Sequence, residues 1–222
     1  MTKKLVIFGT GDIAELAHFY FSSDSDYQVV AFTVDTDYIE KNEFCGLPVI
    51  AFEEIVKNFP PNEVSFFVAL SYSKINEIRK EKFLQAKFLG YKLATYVSSK
   101  ATVLTQCDNI GENCFILEDN TIQPFVSIGD NVTLWSGNHI GHHSTISEHS
   151  FLASHIVVSG SVSIGKQCFI GVNATLRDNI CVGERCVIGA GVLLLSDAEP
   201  EGVYVGQGTQ RAKTSSSKLR RI

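Results

Sequence analysis

The chain has 222 residues, 45% hydrophobic and 19% charged, with a net charge of −5 and a pI near 5.7. That balance suits a soluble globular protein of one large or two small domains and argues against a nucleic-acid or anionic-membrane surface. No apolar run reaches the length of a membrane span, and the run after Met1-Thr2-Lys3-Lys4 is too short for a signal-peptide core, so the cytoplasm is the expected compartment.

The first 97 residues alternate strand and helix signals. Leu5–Phe8 is an apolar run ending at Gly9. A helix is predicted over Asp12–Phe21, with Ile13, Leu16, Ala17 and Tyr20 on one stripe and Asp12 as N-cap. Tyr27–Val34 reads as a strand closed by Asp35, and Gly46–Ile50 as a turn and short strand. Phe52–Asn58 reads as a short helix stopped by Pro60-Pro61, and Val64–Leu70 as a strand buried on both faces. A helix over Ser73–Leu89 and a strand over Tyr91–Val97 complete a βαβ pattern, which implies a small parallel sheet covered by helices.

From Ile110 the pattern changes. Every sixth residue is aliphatic through Ile116, Ile122 and onward to Ile188 and Leu194, and Gly often follows it. A period of six fits neither a helix nor a two-sided strand; it is the signature of a stacked repeat. Three repeats close a triangular coil, so residues eighteen apart stack, and about five coils are expected. The aliphatic points inward, a corner-tolerant residue such as Gly marks the bend, and the small residue four positions on also faces in. Cys114, Cys168 and Cys186 share that inward position, and without a CxxC pair they read as buried filler. The pattern divides the chain into residues 1–97, 98–196 and a tail, 197–222.

Two stretches carry chemistry. Gly9-Thr10-Gly11-Asp12-Ile13-Ala14 matches G-x-G-x-x-A between strand and helix, where glycines admit a pyrophosphate to the helix N-terminus. Asp35, closing the second strand, is placed to reach a ribose or base. The second stretch, Gly137–Ser144, opens a region holding five of the six histidines. His143, His149 and His155 fall in successive hexads, hence on three different sides, so no metal site is expected. A single histidine there can act as a general base near neutral pH.

A half-Rossmann domain joined to a hexapeptide prism resembles the bacterial nucleotide-sugar acetyltransferases, which include bacillosamine-pathway and perosamine N-acetyltransferases and sialic acid O-acetyltransferases. The resemblance spans nearly the whole chain, including Gly46-Leu47-Pro48-Val49 and Gly202-Val203-Tyr204-Val205-Gly206. The runs Trp135–Ser144, Ser154–Gly160 and Phe169–Asp178 most resemble members acting on dTDP-linked 4-amino-4,6-dideoxy sugars.

The resemblance implies an α/β half-Rossmann domain followed by a left-handed parallel β-helix, assembled as a homotrimer with acetyl-CoA as co-substrate and no metal. It implies N-acetylation of a nucleotide-linked (dTDP or UDP) amino sugar, for bacterial surface glycan synthesis. His142 matches the family's catalytic base, four residues before the hexad aliphatic Ile146, and His143 stands where the family often has Asp or Glu. Gly160, eighteen residues on, matches the glycine whose N–H faces the thioester oxygen. Gly9, Thr10, Gly11, Asp12 and Asp35 are expected at the nucleotide, Asn138 and His139 at the sugar, and Gly160, Val172, Ala174, Ile188 and Ala190 along the pantetheine arm. Lys218, Arg220 and Arg221 read as a solvated basic terminus. Alternatives of other kinds are a sugar O-acetyltransferase, a nicotinamide-binding protein and a non-catalytic nucleotide-binding trimeric scaffold.

Overall fold

The computed structural model describes residues 3–211 and 213–218; Arg220 and Arg221 lie outside them. The chain begins with β1 (Lys3–Phe8), α1 (Asp12–Ser23), β2 (Tyr27–Val34), β3 (Glu43–Phe44), β4 (Leu47–Ala51), α2 (Ile55–Asn58), β5 (Ser65–Val68), α3 (Glu77–Phe88) and β6 (Lys92–Leu93). The strands form one sheet in the order β3-β4-β2-β1-β5-β6, parallel except for the β3–β4 hairpin. Alternate residues of β1 explain its apolar run. Leu5 and Ile7 enter the core under α1, Val6 and Phe8 the core on the opposite face, so both sides of the strand are dry.

Three expectations shift. The N-cap of α1 is Gly11, with Asp12 the first helical residue and no side-chain cap. The third helix starts at Glu77, because Lys74, Ile75 and Asn76 all adopt positive φ (51°, 53° and 63°). The strand expected over Tyr91–Val97 divides. Lys92–Leu93 pairs with β5, whereas Tyr96–Val97 pairs with Phe115–Ile116. Between them Thr95 Oγ donates to the Gly111 carbonyl at 2.7 Å, where the chain steps off the sheet.

The remainder is a three-sided parallel β-helix. Between Phe115 and Leu194 the two-residue strands pair at eighteen-residue spacing, for example Ile122 with Ile140 and Ile140 with Val158, and the end strands join at nineteen or sixteen. Among the described residues they build sheets of six, four and seven strands, one per face. The hexad aliphatics and the small inward residues fill a single continuous core. The cysteines in that core also donate: Cys114 Sγ to the Gly129 carbonyl at 3.2 Å and Cys168 Sγ to that of Gly183 at 3.1 Å. Ser150, between them in the column, donates the same way to Gly165 at 3.1 Å. Burial holds the Cys114 and Cys168 thiols up at about 12.

The bend lies elsewhere than expected. The Gly after each aliphatic does not carry positive φ; the residue two further on does, as at Asn113, Asn131, His143, His149, His155, Gln167 and Asn179. The Gly is required by stacking. A Cβ on Gly141 would lie 2.5 Å from the Ser159 carbonyl carbon in the next coil.

The N-terminal part is fixed to one prism face. Tyr96, Phe115 and Leu117 belong to the same core as Phe21 and Phe67. Tyr72 packs on Phe151 and Phe169 at ring-centroid distances of 5.0 and 4.8 Å. Arg79 of α3 is buried against that face, donating to Thr133 Oγ and, at 3.2 Å, to the Ser150 carbonyl, over the Phe151 ring. Burial draws its pKa down to about 10. A prediction follows from the filled column: Cys168→Leu forces extra methylenes into a fully buried site. Urea denaturation of this variant should show a stability lower by about 1–3 kcal/mol.

Candidate active site

The glycine-rich turn sits where a parallel sheet offers a ligand crevice. The chain order places β2 on one side of β1 and β5 on the other, so the carboxyl ends of β1 and β5 flank a topological switch point. A cleft of about 510 Å³ opens there, lined by Phe8, Gly9, Thr10, Gly11, Asp35, Tyr38, Leu70, Lys74 and Lys82 among others. Gly9 has φ +125°, and a Cβ on it would lie 2.7 Å from the Ala69 carbonyl oxygen, so no other residue fits. Gly11 is exposed at the N-terminus of α1. Asp35 is not a lone carboxylate, because its Oδ1 accepts Lys82 Nζ at 2.5 Å. Lys82 in turn lies 5.3 Å from the Phe8 and Phe52 ring centroids. The sequence reading missed Lys82, Lys74 and Tyr38; the helical spacing of Ile78 and Lys82 on α3, both lining the cleft, was the available signal.

The second centre lies on a prism edge, where residues 124, 142, 160 and 178 stack in one column. His142 is exposed and its imidazole rests on Gly160. A Cβ at Gly160 would meet His142 Cε1 at 2.7 Å and Nε2 at 2.9 Å. The absence of a side chain at 160 is therefore what admits the ring. Gln123 Oε1 accepts the His142 N–H at 2.9 Å, and His142 Nδ1 lies 3.1 Å from His143 Nδ1. His143 stacks on Phe125 at 4.7 Å. The Gly160 N–H, expected to face a thioester oxygen, donates to Asp178 Oδ1 at 2.9 Å. Asp178, missed by the sequence reading, falls two coils from His142 in the same column.

Other expected residues disperse. Asn138 is buried at the inward small position. Its Oδ1 accepts the Ile156 N–H at 2.8 Å and its Nδ2 donates to the Trp135 carbonyl at 2.5 Å, so it supports the backbone and does not face a sugar. Asn120, one coil earlier, bonds to the Leu117 and Trp135 carbonyls likewise. Ala174 and Ile188 point into the prism core, which their hexad phase dictates, so their side chains line no groove. Val172 and Ala190 are exposed and share a column, but on a different edge from His142. His139 faces outward from the strand pairing of Thr121 and Val157 and is partly exposed.

His149 and His155 take corner positions apart from His142. His155 fills the space left by Gly137, and His149 is buried beneath α3, edge-on to Phe83 and bonded through Nδ1 to Asn131 Nδ2 at 3.0 Å. Asn131 Nδ2 is a donor, so His149 Nδ1 accepts and the ring is neutral.

With this geometry, the chain matches two family models, "Bacterial transferase hexapeptide (six repeats)" over residues 109–142 and "Hexapeptide repeat of succinyl-transferase" over residues 161–196. Its fold is similar to that of the acetyltransferase domain of PglB from Neisseria gonorrhoeae, with 24% identity, TM-score 0.80, and 92% of this chain and 97% of that one covered. It is similar to PerB from Caulobacter crescentus, solved with CoA and GDP-perosamine, with 22% identity, TM-score 0.81, and 93% and 95% covered. WeeI from Acinetobacter baumannii superposes at 17% identity and TM-score 0.77, with 92% and 97% covered. The chain shares with these solved structures a left-handed β-helix of hexapeptide repeats and a Rossmann-like N-terminal part. No curated protein sequence matches the chain. No helix of the described residues is long and apolar enough to cross a membrane.

The buried corner histidine gives a pH test. Desolvation is the main cause that lowers the His149 pKa from 6.5 to about 4. The unfolded chain binds the proton first, so this stabilisation is complete above about pH 6.5 and is lost as pH falls toward about 4. The decrease in Tm between about pH 7.5 and about pH 5 should be smaller in His149→Asn than in the parent chain. Equal decreases would show that His149 is not the group involved.

Proposed function

We propose that the protein is an acetyl-CoA-dependent N-acetyltransferase acting on a nucleotide-linked amino-dideoxy sugar, at a 4-amino group, in bacterial surface glycan synthesis in the cytoplasm. The observation that carries this reading is the His142 imidazole seated on the bare Gly160 edge of a hexapeptide prism. Residues 1–97 would hold the nucleotide, 98–196 the acyl-transfer site, and 197–222 the tail. The fold neighbour solved with CoA and GDP-perosamine supports both substrate classes.

The sugar amine attacks the thioester carbonyl carbon, forming the C–N bond while the carbonyl π electrons move to oxygen. His142 Nε2 takes the proton from nitrogen. Collapse of the tetrahedral adduct re-forms C=O and breaks C–S, and coenzyme A leaves as the thiolate, which recovers that proton. For Gly160 to stabilise the oxyanion, the oxygen must replace Asp178 Oδ1 on its N–H, since two anionic oxygens repel at one donor. Gly9, Thr10, Gly11, Asp12 and the Lys82-held Asp35 would grip the nucleotide at the sheet's carboxyl edge. His139 is the remaining expected sugar contact that faces outward.

Val172 and Ala190 lie on another edge from His142, so one protomer cannot bring both to a single pantetheine arm. A homotrimer, in which the edge of one subunit faces that of the next, resolves this. Amine rather than hydroxyl as nucleophile is favoured by His143. An imidazole in place of a carboxylate polarises His142 less, and an alcohol needs a stronger base than an amine does.

Replacing His142 by Asn should lower kcat by about 10²–10⁴-fold while KM for acetyl-CoA stays similar. Full activity in this variant would remove the base assignment. Thermal-shift screening separates the other readings. Stabilisation by acetyl-CoA together with a nucleotide amino sugar is expected, by NAD alone would indicate a nicotinamide-binding protein, and none would indicate a scaffold.

A further inference from the structure

One catalytic duty is left unfilled at the His142 edge. The oxygen of the tetrahedral adduct needs a hydrogen-bond donor, and the Gly160 N–H is already engaged by Asp178 Oδ1 at 2.9 Å. With that carboxylate in place, the Gly160 side of the site repels a developing negative charge. The donor must then come from the opposite side, which in a trimer is the edge of the next subunit. That edge is the one bearing Val172 and Ala190.

On that edge Ser136 already donates to Glu118 Oε1 at 2.7 Å, and Tyr20 to the other carboxylate oxygen at 2.9 Å. His155 stands at the corner itself, directly after Ser154, which lies one coil before Val172. Its backbone is fixed there, with φ +58° and its N–H on the Ser136 carbonyl at 3.1 Å. Its side chain is exposed. A Cβ at Gly137 would meet His155 Nδ1 at 2.5 Å and Cε1 at 2.7 Å. The ring therefore rests on the bare Gly137 corner by its Nδ1–Cε1 edge, with Nε2 on the other side. Among the described residues no side chain bonds to or stacks on this imidazole.

The height is also right. His155 comes thirteen residues after His142 and five before Gly160. A coil of eighteen residues rises about one strand spacing, so His155 lies about 3.5 Å along the axis from His142 and about 1.3 Å from the level of Gly160. In a trimer whose axis runs along the prism, these heights are the same between subunits as within one.

We propose, resting on the trimeric N-acetyltransferase reading, that His155 of the partner subunit is a catalytic residue of the His142 site, its Nε2–H donating to the thioester carbonyl oxygen. No proton changes hands at this hydrogen bond. As the C–N bond forms, the carbonyl π electrons move onto oxygen and the N–H stabilises that charge. As the C–S bond breaks, C=O re-forms. Asp178 stays on the Gly160 N–H throughout. One subunit thus supplies the base and the next the oxyanion donor, so neither holds a complete site alone.

The test measures kcat and KM with acetyl-CoA and a dTDP-linked 4-amino-4,6-dideoxyhexose, following release of the coenzyme A thiol. His155→Ala should lose about 10²–10³-fold in kcat with little change in KM. His155→Phe, which keeps a ring over Gly137 but has no N–H, should lose as much. His155→Gln, which retains a donor, should recover part of the loss. Differently tagged His142→Asn and His155→Ala chains are then co-expressed in equal amounts. In every hybrid trimer one interface joins an intact His142 to an intact His155, so random assembly should restore about a quarter of the parent rate. A merely structural role at position 155 does not produce that recovery. Parent-like kcat in His155→Phe, hybrids no more active than the two variants alone, or a loss carried by Ser154→Ala in place of the His155 variants would overturn the proposal. Failure of the N-acetyltransferase reading looks different. In that case His142→Asn stays fully active, or the parent itself transfers no acetyl.

Discussion

Everything in the C-terminal part depends on how closely one coil rests on the next. Backbone pairing fixes the spacing, and at Gly141 it leaves 2.5 Å between a notional Cβ and the coil beyond. The same closeness dictates Gly160, where the neighbour is the His142 ring, and Gly137, where it is that of His155. A chain stacked this tightly cannot slip its register, so whatever residue falls at an edge is presented there with its neighbours eighteen residues away. The acyl-transfer site we propose uses that certainty. His142, Gly160 and Asp178 meet because they share a phase in the repeat.

The nucleotide cleft depends on a different constraint. A parallel sheet with β1 at its centre creates a crevice at the strand ends, and Gly9 keeps its floor open. The two parts are coupled through packing. Phe115 and Leu117 extend the core under α1, while α3 sends Lys82 to the cleft and Arg79 into the prism face. That shared helix gives the cleft and the prism a fixed relation within the protomer.

Much of this was legible in the sequence, for physical reasons. A strict six-residue period admits few structures, so the three-sided core and the phase of His142 over Gly160 could be read by counting. The same counting places Ala174, Ile188 and Asn138 at inward positions, and the structure buries all three. Counting does not give hydrogen-bond partners. That Asp178 occupies the Gly160 N–H, that Lys82 meets Asp35, and that His143 turns toward His142 are choices of rotamer and tertiary packing. The corner was misplaced because Gly suggests positive φ, whereas here asparagine, histidine and other residues bend the chain and Gly answers a steric limit. The strand expected over Tyr91–Val97 divided because its two apolar halves serve different sheets.

The central claim is that an edge histidine set by the repeat forms an acyl-transfer site completed by a neighbouring subunit. The most direct test is a crystal structure of the protein with coenzyme A and a nucleotide-linked amino sugar. The account predicts a trimer in which the thiol and the sugar amine approach each other beside His142 Nε2, with reacting atoms about 3–3.5 Å apart, and the pantetheine arm running between two subunits. A coenzyme bound away from the Gly160 edge, with His142 facing bulk water, would contradict it.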